Sequence, residues 1–66
     1  MVLLVNGQPH DLAGEGRVSD LLGEIGADPG RTALMVNGDV VPRDTWDGVR
    51  LQENDQVELI VFAGGG

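Results

Sequence analysis

A chain of 66 residues makes one domain and not two; at this size only about 60% of the surface exposed on unfolding is buried, so a large catalytic cavity does not fit, which argues against a self-sufficient enzyme. Cysteine is absent, which excludes disulfide staples, thiolate metal sites and any sulfur chemistry on a side-chain thiol, and fits a reducing compartment. Eleven acidic residues against four arginines give a formal charge of −7, which disfavours nucleic acid and anionic membranes and calls for a partner that is basic where it docks.

The opening MVLLV is a short apolar run with β-branched residues, closed by Asn6-Gly7, a strong hairpin-turn signal. A return strand is expected over Gln8 to Leu12. Gly14-Glu15-Gly16 reads as a loop and lacks the spacing and context of a dinucleotide fingerprint. Val18, Leu21, Leu22 and Ile25 then fall at i, i+3, i+4 and i+7, one face of an amphipathic helix, with Ser19 or Arg17 at its N-cap and Asp20 favourably placed for the helix dipole. Gly26 closes the helix and Asp28-Pro29-Gly30 connects onward. ALMVNGDVVP predicts strand, Asn37-Gly38 turn and a second short strand stopped by Pro42. RDTWDGV is too polar and turn-rich for a strand and reads as one helical turn or a wrapped loop. Asn54-Asp55 is the next turn, and Gln56 to Phe62 the last strand.

The order β-β-α-β-β-β belongs to the α+β class: a mixed sheet with one main helix packed on one face, over residues 1–62, followed by a flexible glycine tail over 63–66. With the first and last strands parallel at the centre, the crossover through the helix obeys the right-handed rule, which is the ubiquitin-like β-grasp arrangement. No apolar run approaches the roughly eighteen residues of a membrane span, and Met1 enters VLLV without a basic signal region, so the chain reads as cytoplasmic.

Alternation along the last strand sends Val57, Leu59 and Val61 one way and Gln56, Glu58, Ile60 and Phe62 the other. The two polar residues mark the second set as the outer face, where Ile60 and Phe62, joined by Val2 and Leu4 of the first strand, form a candidate partner interface unless a loop such as that of Trp46 covers it. Trp46 itself reads as an anchor for an irregular loop. His10 stands without a base or ligand partner, and Asp39, Asp44 and Asp47 lack calcium-loop spacing and read as a solvated acidic face. The tail admits two readings. Gly64, Gly65 and Gly66 are either a frayed end or a linker remnant, or a bare stem around which a partner closes, since glycine alone permits so close an approach to the backbone.

Taken together, the opening VLLVNG, the helix RVSDLL, the segment VNGDVVPRDTW, the closing DQVEL and the terminal Gly65-Gly66 resemble the small sulfur carriers of the ThiS type, β-grasp relatives of ubiquitin that serve thiamine thiazole biosynthesis. The VPRDTW stretch and the short length favour this branch over the longer molybdopterin-type carriers. Arg17 stands where a capping threonine is common and Asn54 where a turn glycine is common; neither departure touches the chemistry. The resemblance implies that an E1-like adenylating enzyme of the ThiF type, using ATP and Mg, activates the carboxylate of Gly66. A persulfide donor such as a cysteine desulfurase then supplies the sulfur. Gly64 and Gly65 would thread the partner's active site, and a thiazole synthase of the ThiG type would take the sulfur from the resulting thiocarboxylate. The chain would be a co-substrate with no catalytic residue, no metal site and no cofactor of its own. Two other classes stay open: a ubiquitin-like tag joined to target lysines, and a plain β-grasp interaction module. The chain has no lysine, so it cannot form chains on itself.

Overall fold

A computed structural model describes residues 1–62. Its strands are β1 (Val2–Val5), β2 (Gln8–Asp11), β3 (Thr32–Val36), β4 (Asp39–Val40) and β5 (Gln56–Val61), with one α-helix, α1 (Val18–Ile25). Short 3₁₀ turns occupy Pro29–Arg31 and Arg43–Gly48. The strands form one five-stranded sheet in the order β2-β1-β5-β3-β4. β1 and β5 are parallel neighbours at the centre, and the remaining pairs are antiparallel, which is the expected β-grasp topology.

Both hairpins turn where the asparagine-glycine pairs lie. Asn6 and Gly7 have φ of 49° and 82°, and Asn37 and Gly38 have 52° and 87°. Positive φ at both central residues gives the tight turn whose twist matches the flanking strands, and asparagine tolerates that region better than other side chains. Asn54, at φ 70°, makes the turn before β5 without a glycine.

Arg17, with φ −81° and ψ 148°, is the non-helical residue ahead of α1, so the helix begins ahead of the alternative cap Ser19. Asp20 stabilises this start: its Oδ2 accepts from the backbone N–H of Arg17 at 3.3 Å and of Glu15 at 3.1 Å. Its charge also complements the helix dipole. Gly26, at φ 83°, ends the helix in the left-handed region, its N–H donating to Leu22 O at 2.9 Å.

The core is one cluster of Leu3, Leu12, Val18, Leu21, Leu22, Leu34, Leu51 and Val57. Cutting one such leucine to alanine costs roughly 2–5 kcal/mol, against a total stability of about 0.05–0.15 kcal/mol per residue, so the domain tolerates little core loss. The helix stripe is shorter than the periodicity suggested. Ile25 is 41% exposed, because it is the last residue of a helix whose buried contacts end at Leu22.

Two side chains depart from or sharpen the expectation. Trp46 is half-buried against the core, and its Nε1 donates to Val41 O at 2.9 Å, with the Arg43 guanidinium 5.7 Å from the ring centroid. It anchors the irregular segment on the helix side of the sheet. His10 has a partner, contrary to the expectation from sequence: its Nε2 lies 3.0 Å from Glu24 Oε1. In the β1–β2 register His10 pairs with buried Leu3, which points it toward the helix that carries Glu24. Glu24 Oε2 also accepts from Ala13 N–H at 2.9 Å. That backbone bond first, and the His10 contact second, hold the Glu24 carboxyl below its ordinary pKa.

Candidate functional site: the outer sheet face and the end of β5

The alternation of β5 is set by its pairing with β3, which places Val57 opposite Val36, Leu59 opposite Leu34 and Ile60 opposite Ala33. Val57 is fully buried under the helix, whereas Ile60 and Phe62 are 49% and 55% exposed. Two inward-pointing residues are less buried than the alternation implied. Leu59 is half-buried at the edge of the core, and Val61 is 61% exposed. The reason is the extent of β1, whose pairing with β5 stops at Val5 and Val57 and leaves the far end of β5 supported from the β3 side.

The same register divides the candidate interface. Leu4 lies beside Gln56, and Val2 O accepts from Asn54 N–H at 2.7 Å, which puts Val2 at the opposite end of the sheet from Ile60 and Phe62. At about 3.3 Å per residue the separation between Val2 and Ile60 approaches 20 Å along the strand. Glu58 also intervenes. The apolar neighbours of Ile60 come from the other side instead: Ala33 directly opposite, then Met35 opposite Glu58, and Val40 opposite Met35. Val40 is 68% exposed. Adjacency of β1 and β5 was readable from the order of elements, but register was not, so Met35 and Val40 escaped notice although ALMV and DVV are apolar in sequence.

Side chains at both hairpin turns reach β5. The Asn6 backbone N–H donates to Val57 O at 2.9 Å. Its carboxamide then continues along the strand, with Oδ1 accepting from Leu59 N–H at 2.9 Å and Nδ2 donating to Leu59 O at 3.4 Å. Asn37 acts at the start of the same strand, Oδ1 accepting from Gln56 N–H at 2.9 Å and Nδ2 donating to Asp55 Oδ1 at 3.0 Å. Phe62 N–H donates to Arg31 O at 2.8 Å, so β3 and its approach hold β5 to the last described residue. Gly64, Gly65 and Gly66, and the expected flexible tail over 63–66, lie outside the described residues. Among the described residues no group of three or more histidines and acids is arranged to hold a metal ion, and no helix is long and apolar enough to cross a membrane.

These features define a class: a small ubiquitin-like β-grasp domain with an apolar outer sheet face beside its C-terminal strand. The ThiS family model matches residues 3–66, and the chain belongs to the ThiS family of small sulfur carriers. The sulfur carrier protein ThiS of Escherichia coli is 35% identical over 98% of this chain and 100% of its own length. The crystal structure of thiamine biosynthesis protein ThiS from Geobacter metallireducens superimposes with a TM-score of 0.80 at 33% identity, covering 100% of both chains. A thiazole synthase of Paramagnetospirillum magneticum is 33% identical over 100% of this chain, which spans 20% of that relative's length.

Proposed function

We propose that this chain carries sulfur for thiamine thiazole formation as a thiocarboxylate on Gly66. The observation that carries the reading is the family match across residues 3–66, which takes in the glycine tail as well as the folded domain. A carboxylate is a poor electrophile and has to be activated. The α-carboxyl of a terminal Gly66, ionised at neutral pH with a reference pKa of about 3.3–3.7, attacks the α-phosphorus of ATP held with Mg by an E1-like partner of the ThiF type, releasing pyrophosphate. The terminal sulfur of a persulfide, supplied by a donor such as a cysteine desulfurase, displaces AMP to give an acyl disulfide. A further thiol cleaves the S–S bond and leaves the thiocarboxylate. Catalytic positioning and electrostatics belong to the partners, and the chain binds no cofactor itself.

Gly64 and Gly65 form the stem that enters the partner's site, and Ile60 and Phe62, with Met35 and Val40 beside them, form the docking face; Leu4 and Val2 contribute at its far side. A thiazole synthase of the ThiG type takes the sulfur. Support for that partner comes from the relative named thiazole synthase, in which a segment like this whole chain shares one polypeptide with the remainder and so reaches it at high effective concentration. The proposed setting is cytoplasmic, and neither nucleic acid nor membrane is among the partners.

The test is incubation with a ThiF-type enzyme, ATP, Mg and a persulfide donor, followed by mass spectrometry of the C-terminal peptide. One oxygen should be exchanged for sulfur at Gly66. A modification placed elsewhere would sink the assignment, and higher-mass conjugates in place of thiocarboxylate would favour a protein tag.

A further inference from the structure

We propose that Asn6 is a positioning residue for sulfur loading: its carboxamide stands in for a missing rung of β1 and fixes the end of β5 from which the tail departs. This role rests on the proposed loading of Gly66. Besides the paired residues of β1 and β5, the backbone bonds that join them include Leu4 N–H donating to Asp55 O at 2.9 Å and Asn6 N–H donating to Val57 O at 2.9 Å. A longer β1 would next pair with Leu59. The chain instead reverses at Asn6-Gly7 to start β2, and the side chain of Asn6 takes over. A carboxamide offers the same donor and acceptor as a peptide group. Both Leu59 backbone groups use it, the N–H at 2.9 Å and the carbonyl at 3.4 Å.

The position of this contact gives it consequence. Val57, Leu59 and Val61 share one strand edge, toward β1, whereas the Phe62 N–H points to the β3 side, where it meets Arg31 O. Removing the Asn6 carboxamide therefore moves the end of two-sided support on β5 back from Leu59 to Val57, and the strand end ahead of Gly64 gains freedom. Misplacement of a reacting group by about 1 Å can cost on the order of 100-fold in rate. Of the docking residues, Ile60 keeps its pairing with Ala33 and Phe62 its N–H bond to Arg31 O, while Met35 and Val40 lie on β3 and β4; none of these contacts involves Asn6, so the effect falls on delivery of the tail and not on binding.

Asn37 supplies an internal control. It is the same residue in the same kind of turn, but it holds Gln56, at the start of β5. Asn6→Gly and Asn37→Gly both keep the left-handed turn and lose only the carboxamide. Amide hydrogen exchange at Leu59, and kcat and KM for the chain as substrate of a ThiF-type enzyme, are measured where circular dichroism shows both variants folded. Asn6→Gly should speed Leu59 exchange roughly five- to tenfold, as expected for one lost hydrogen bond, and lower kcat about tenfold or more at unchanged KM. Asn37→Gly should leave Leu59 exchange and kcat at wild-type values. Asn6→Asp keeps the acceptor for Leu59 N–H but sets a carboxylate against Leu59 O, and should fall between. Faster Leu59 exchange with unchanged kcat overturns the role of Asn6. So does an equal loss in both glycine variants, or a rise in KM alone, which is how a merely lower folded fraction would register. A wild type that the enzyme does not load overturns the Gly66 reading itself, whereas a loaded wild type with unaltered Asn6→Gly kinetics overturns only Asn6.

Discussion

In the loop before α1, Gly16 is buried with φ +90°, and a Cβ added to it would lie 2.8 Å from Leu51 O and 3.1 Å from Met1 Cε. Neither the backbone region nor the space admits a side chain, so Gly16→Ala should destabilise the domain by at least about 1–2 kcal/mol. Gly23 is the opposite case. It sits inside α1, where an added Cβ would meet no atom within 4 Å, and Gly23→Ala should stabilise by about 0.5–1 kcal/mol. Urea denaturation of the two variants checks both signs. Glu24 carries a pH dependence. Its folded pKa is depressed by the Ala13 N–H and by His10, so its contribution is present above the ordinary carboxylate range and is lost as pH falls through the folded value. Wild type should therefore be more stable than Glu24→Gln at neutral pH, and the difference in Tm should shrink on acidification below about pH 4. A gap independent of pH would show that Glu24 acts without its charge.

Within the sheet, the two sides of β5 should respond in opposite ways to the same substitution. Val57 is fully buried, and Val57→Asp places an unpaired charge in a core that cannot spare several kcal/mol, so the domain should unfold. Leu59, half-buried, is a milder position than its alternation suggested. Ile60→Asp and Phe62→Asp should stay folded by circular dichroism and lose capture by a ThiF-type enzyme in a pull-down. Melting of Phe62→Asp together with Val57→Asp would mean that this face is part of the folded core. How far sequence reaches is visible in these same elements. The 3.6-residue spacing of Val18, Leu21 and Leu22 and the two Asn-Gly pairs encode α1 and both hairpins locally, so they were legible. Leu51 was not, because it lies in an irregular stretch with no period and is held there by a long-range bond, its N–H to Gly16 O at 2.7 Å. The His10–Glu24 contact and the β1–β5 register likewise join segments distant in sequence, where local pattern carries no information.

At the scale of the whole molecule, the chain combines a small core with a formal net charge of −7, and the proposed function places the chemistry on Gly66, outside that core. An added residue after Gly66, for example alanine, should abolish sulfur loading. It moves the reactive carboxylate by up to about 3.3–3.6 Å and locks the former one in an amide. The buried cluster runs from Leu3 to Val57, so Tm should not change; full-rate loading without trimming back to Gly66 would show that the enzyme does not read the chain end. The parallel pairing of β1 with β5 has a mechanical counterpart. Because the two strands run side by side in the same direction, Met1 and Phe62 lie at opposite ends of the sheet, and tension between them loads the contacts from Leu4 and Asn6 to β5 in shear, all at once. Tension between Met1 and Leu12 would instead unzip the β1–β2 hairpin one pair at a time. Single-molecule pulling should therefore meet a higher rupture force along the first axis than along the second, and a carrier gripped by its tail while held at its start would resist being drawn open.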